Sequence, residues 1–191
     1  VQLTTHLVGL SILSSPTPSL LSPPLNIPLN LLSNSGLLVA SLVLDGEAIQ
    51  TIVDTGSPFL TCAAEAIGGD GGDGSINSIE QYGEDLLDVK WRKALVATTT
   101  QPAQDLGTMR VGLVSAGTAA VNRNYLGLVY KDAVRASFLS QTPFTSFELS
   151  YTKRSLTLST ESAILAHPLF DFGKVASNAF FYATALTSMS V

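Results

Sequence analysis

The placement of charge constrains this chain more than any other feature. All 10 Lys and Arg and all 15 Asp and Glu fall between Asp45 and Lys174, so residues 1–44 and 175–191 carry none. A folded domain surrounds its core with a charged, solvated surface, and exposed apolar area on a large scale is rarely left to water. The domain surface therefore has to come from the middle of the chain, and the two arms have to be covered by something else. Hydrophobic residues make up 46% of the sequence and charged ones 13%, about half the usual globular share of charge. That apolar content excludes a disordered polar chain, and 191 residues suffice for one domain with a real core.

Several function classes drop out at once. The net charge is −5, and the only basic cluster, Lys90, Arg92 and Lys93, has Asp88 beside it, so no nucleic-acid partner is expected. Cys62 is the single cysteine, which excludes an intrachain disulfide and a cysteine-rich metal site. His6 and His167 have no partner at metal-ligand spacing, and neither a metal nor a cofactor is expected. Gly69 to Gly74 satisfies G-x-G-x-x-G, but Asp70 and Asp73 would repel a pyrophosphate and no helix pattern follows. Gly68 to Ile76 nearly matches one calcium-binding nonapeptide, yet a single copy lacks the stacked neighbours that complete a cation shell. A surface loop is the expected reading.

Pro16, Pro18, Pro23, Pro24 and Pro28 interrupt any membrane span in the first arm, and polar residues from Ser177 to Ser190 interrupt the second. The arms are expected to lie against neighbouring proteins or a membrane surface. A chain that begins at Val1 without Met is expected to be a processed form, organellar or membrane-associated.

Strand patterns fill the charged middle. Leu37–Leu44 and Glu47–Val53 flank Asp45-Gly46, a two-residue hairpin signal. Further strands are expected around 76–81, 88–98, 108–115 and 125–130. One short helix is expected from Asp132 to Gln141, with Val134, Phe138 and Leu139 on one face. A last hairpin alternates Phe147, Leu149 and Tyr151 against Leu156 and Leu158, turning at 152–154. The expected organisation is an uncharged Pro/Ser-rich arm at 1–35, a mostly-β domain at 36–160 and an apolar, helical arm at 161–191.

The chemistry-bearing element is Asp54-Thr55-Gly56-Ser57, delivered by the strand that ends at Val53. As a bare tripeptide D-T-G marks only a turn. At a strand end it also fixes a carboxylate in one orientation, as acid–base chemistry requires. The stretch Thr51-Ile52-Val53-Asp54-Thr55-Gly56-Ser57-Pro58-Phe59-Leu60, with its preceding hairpin, resembles the aspartic-peptidase superfamily of pepsin-like and retropepsin-like proteins. Gln81-Tyr82-Gly83 resembles the start of the pepsin-type flap. Tyr125-Leu126-Gly127-Leu128 resembles the apolar-apolar-Gly segment that packs beneath the catalytic turn, and the last hairpin resembles the family's closing one.

The resemblance implies a single acid-protease lobe over roughly 36–160. Asp54 would be the catalytic carboxylate, oriented by Thr55 and Ser57 around Gly56. Tyr82 and Gly83 would lie on the flap over substrate, with Leu126 and Gly127 as support. The family uses two aspartates that share a proton. With one D-T-G and no D-S-G, this chain would need a homodimer, each copy giving its Asp54. The alternative is a catalytically inactive pepsin-like domain, a structural subunit of a larger assembly in which other proteins or a membrane cover 1–44 and 175–191.

Overall fold

The structure, a computed structural model, describes residues 23–68, 77–82, 85–115, 122–129 and 135–160. The glycine loop at 69–76, Gly83, residues 130–134, which include the head of the expected helix, His6, His167, residues 1–22 of the N-terminal arm and the whole C-terminal arm (161–191) lie outside the described residues.

Ten strands appear among the described residues: β1 (Leu25–Leu31), β2 (Leu38–Leu44), β3 (Glu47–Asp54), β4 (Leu60–Ala63), β5 (Asn77–Tyr82), β6 (Asp85–Thr98), β7 (Asp105–Val114), β8 (Tyr125–Gly127), β9 (Ser146–Ser150) and β10 (Ser155–Ser159). Their order is β5-β6-β7-β4-β8-β3-β2-β1-β10-β9. A second pairing, Leu42–Leu44 of β2 against Val96–Thr98 of β6, bends the six strands from β2 to β6 into a closed barrel. Closure removes two sheet edges and encloses one apolar core that includes Leu42, Leu44, Leu60, Val96, Leu126 and Leu128.

The β2–β3 hairpin forms as its sequence dictates. Leu44 pairs with Glu47 across a two-residue loop, and Asp45 and Gly46 both take positive φ (50° and 94°), the signature of a type I′ turn. The closing hairpin also pairs as expected, Leu149 opposite Leu156 and Phe147 opposite Leu158.

Two strands depart from the expectation. Residues 25–31, assigned to the N-terminal arm because of their prolines and lack of charge, form β1. Leu25, Ile27 and Leu29 are buried in strict alternation with exposed Asn26, Pro28 and Asn30. Pro28 is the last residue paired to β10 before the strand changes partner to β2 at Leu29, so the missing donor falls at a junction. Strand β4 has all four residues buried, because it runs inside the barrel wall with apolar groups on both faces. It therefore shows no alternation to read.

The expected helix at 132–141 is not formed in its described part, where only Leu139–Gln141 make a 3-10 turn. Backbone and side-chain groups here bond elsewhere. The Phe138 N–H donates to the Pro58 carbonyl at 2.8 Å, and the Thr142 hydroxyl donates to the Leu139 carbonyl at 2.8 Å. Such bonds compete with the helical ladder.

Strand β6 serves two cores. Leu87, Val89 and Trp91 point into a small cluster with Phe59 and Val114. Farther along, Ala94 and Val96 point from the opposite face into the barrel core. Pairing with β7 stays in register from Val89 to Val96, so the exchange of faces occurs without a bulge.

Candidate active site

Strand β3 carries Asp54 as its last residue. The chain then leaves the sheet, turns through 55–59 and returns as β4. Strand β8 lies between these two. It is parallel to β3, with Asp54 opposite Gly127, and antiparallel to β4, with Leu60 opposite Leu126. The turn therefore straddles the end of β8 and is stitched to it by backbone bonds. N–H groups of Gly127, Leu128 and Val129 donate to carbonyls of Phe59, Asp54 and Ser57 at 2.9, 2.9 and 3.0 Å. With the Phe138 bond to Pro58, four backbone bonds hold one short loop.

Only glycine fits beneath that loop at position 127. A Cβ there would stand 2.4 Å from the Phe59 amide nitrogen and 2.5 Å from the Ser57 carbonyl oxygen. Leu126 beside it is fully buried in the barrel core. Asn124 braces the entry to β8. Its side chain accepts from the Ala63 N–H at 2.8 Å and donates to the Gln50 carbonyl at 3.1 Å, tying β4 to β3.

The Asp54 carboxylate is half-buried, and its Oδ1 accepts the Gly56 N–H at 2.8 Å. That bond fixes the carboxyl plane within the turn. Among the described residues Thr55 is exposed, and the Ser57 Oγ is buried without a hydrogen-bond partner. Glycine's backbone is the described contact that aims the carboxylate.

The β5–β6 hairpin stands over this turn. Along β5 the burial alternates, so Ser78, Glu80 and Tyr82 face inward while Asn77, Ile79 and Gln81 face out. Tyr82 stacks on Tyr125 of β8, with ring centroids 4.6 Å apart and planes 26° apart. Its hydroxyl is buried and makes no hydrogen bond. Burial pushes the Tyr82 phenol well above its ordinary range, the Asp54 and Glu80 carboxylates push the same way, and the hydroxyls of Ser57 and Thr61 nearby offset this only in part. The Thr61 hydroxyl is already committed, donating to the Arg123 carbonyl at 3.0 Å.

Between turn and hairpin lies a cleft of about 350 Å³, lined by Asp54, Gly56, Ser57, Gln81, Tyr82 and Tyr125. The structure thus brings Asp54, Gly56, Ser57 and Tyr82 to one cleft, and sets Leu126 and Gly127 beneath it. Thr55 lies on the exposed shoulder of the turn, and Gly83 is outside the described residues. Sequence reasoning missed Gln81 and Tyr125 as lining residues, although both lie inside motifs it singled out. Tyr125 stands two residues before Gly127, which is the spacing that returns a strand side chain to the same face.

The mostly-β fold expected from the sequence is the one adopted. Among solved structures, the chain is similar to a retropepsin-like aspartic protease from Rickettsia conorii. The two share 16% identity over 71% of this chain and 90% of that one, with a TM-score of 0.44. No protein-family model matches the chain, and no curated protein does.

Proposed function

We propose that this chain is one half of an aspartic endopeptidase, completed by the Asp54 of a second copy. The observation that carries this reading is a carboxylate held by the Gly56 N–H at the end of an apolar strand, open to a cleft beneath an aromatic hairpin. In this reading two Asp54 carboxyls meet at a dimer axis. At roughly 3 Å, like charges cannot both ionise, so the pair holds one proton between them. The ionised carboxyl takes a proton from water as the water oxygen bonds to the scissile carbonyl carbon. The protonated one gives its proton to the carbonyl oxygen. The resulting gem-diol collapses as the C–N bond breaks: the carboxyl that took water's proton gives it to the amide nitrogen, and the other takes a proton from a gem-diol hydroxyl, which restores the shared proton.

The test is purified full-length protein incubated with a mixture of peptides from acid to neutral pH, with its mass in solution followed in parallel. Pepstatin-sensitive cleavage by a dimer, absent in Asp54→Asn, is expected. A monomer that cleaves nothing would overturn the reading and leave the non-catalytic subunit in its place. That alternative predicts loss of co-purifying partners on deleting residues 1–22 or 175–191. The first deletion stops at 22 because β1 starts at Leu25.

A further inference from the structure

We propose that Arg135 is a positioning residue, which sets the height of Tyr82 over the Asp54 turn by clamping Glu80 of β5. This inference rests on the peptidase reading for its catalytic consequence, but not for its geometry. The Arg135 guanidinium lies over two rings, 4.9 Å from the Trp91 centroid and 5.7 Å from that of Phe59, and it is ion-paired with Glu80. Those three contacts belong to three different elements. Phe59 is part of the Asp54 turn, Trp91 comes from β6 and Glu80 from β5.

Further contacts tie the junction together. Phe59 and Trp91 meet edge-to-face at 4.9 Å. The Trp91 Nε1–H donates to the Ser78 Oγ at 2.7 Å, and the Ser78 hydroxyl donates to Glu80 Oε1 at 2.7 Å. Glu80 therefore receives a hydroxyl and a guanidinium, both held against the same indole. Arg135 and Glu80 side chains are only 20% and 17% exposed, so water does little to screen the pair. A planar guanidinium suits this place because it stacks on the rings with its face and bonds the carboxylate with its edge, which an ammonium cannot do.

Arg135 is itself fixed to the opposite wall of the cleft. Three residues on, Phe138 is buried and its N–H is bonded to Pro58 in the turn. Tyr82 stands two residues beyond Glu80 on the same inward face of β5. Segment 135–138 thus grips the turn with its backbone and the hairpin with its arginine, and the spacing between them fixes where the Tyr82 ring stands relative to Asp54.

Trp91 is the only tryptophan in the chain, so its emission reports this junction directly. In the full-length protein, Arg135→Met and Glu80→Gln are each expected to red-shift that emission and increase its quenching by acrylamide. Lys153→Met in the exposed turn of the last hairpin should leave it unchanged, and Arg135→Lys should lie in between. In cleavage assays, Arg135→Met is expected to lower kcat by about 10- to 100-fold, the scale of a small misplacement, with KM little moved. That loss should disappear in a Tyr82→Ala background, because the arginine acts through the tyrosine.

Unchanged Trp91 emission in both Arg135→Met and Glu80→Gln would overturn the clamp. So would a kcat loss that simply adds to that of Tyr82→Ala. If the wild-type protein cleaves nothing, the peptidase reading fails by itself, and the Trp91 measurements still decide whether the clamp exists.

Discussion

Gly127 and Phe59 approach so closely that a Cβ on the glycine would stand 2.4 Å from the Phe59 amide nitrogen, closer than the hydrogen bond of 2.9 Å between the same two residues. Every atom in that contact on the turn side is backbone. Gly127→Ala therefore cannot be relieved by a rotamer change, and must lift the turn off β8. It is expected to cost about 3 kcal/mol, the upper end for overpacking, read as a lower urea midpoint. Because the lifted turn carries Asp54, cleavage should fall by more than the loss of folded protein explains.

Asp54→Asn separates chemistry from architecture. An Asn Oδ1 still accepts the Gly56 N–H, so stability should move by less than about 1 kcal/mol. Cleavage should fall by about 10²- to 10⁴-fold or more, since the variant cannot take a proton from water. Equal urea midpoints with activity lost in peptide assays is the expected pair of results.

Tyr82→Phe removes a buried hydroxyl that has no hydrogen-bond partner. Stability at neutral pH should hold or rise by up to about 1 kcal/mol, the reverse of the usual core truncation. At high pH the two proteins should diverge. Burial keeps the folded phenol protonated while the unfolded chain ionises near its ordinary 10.0, so wild-type stability falls as pH rises through and beyond that value. The Phe variant lacks this fall, and urea midpoints at pH ~9 and ~11 will show the difference.

Cys62 offers a second alkaline marker. It is fully buried on β4, and burial pushes its thiol from 9.0 up to about 12. Between those values the unfolded chain has lost the proton and the folded chain keeps it. Cys62 should lower stability there by about 1.4 kcal/mol per pH unit, so Cys62→Ala should show a shallower alkaline decline that retains only the Tyr82 part. At pH ~8 a thiol reagent should leave the native protein unmodified and react fully once urea unfolds it.

What could be read in advance was local. Asp45-Gly46 specifies its own turn, and Asp54-Thr55-Gly56 marks a strand end, because both depend on residues adjacent in the chain. Gly127 was legible through its apolar neighbours. What could not be read depends on who sits opposite. Residues 25–31 look like an arm until β2 and β10 supply partners for their alternating leucines and isoleucine. Strand β4 has no period because both of its faces are covered. The Gly56 contact was hidden for a similar reason: the donor to Asp54 is a backbone amide, which no side-chain inventory reveals. Glu80 and Arg135 lie 55 residues apart in sequence, and only the fold makes them neighbours.

The face exchange along β6 has a mutational consequence. At positions 87, 89 and 91 the odd numbers are the intolerant ones, whereas at 94 and 96 the even numbers are. A saturation scan of this strand should therefore show its sensitivity change parity near Arg92 and Lys93. One inserted residue on either side of that point would leave one core correctly phased and turn the other inside out.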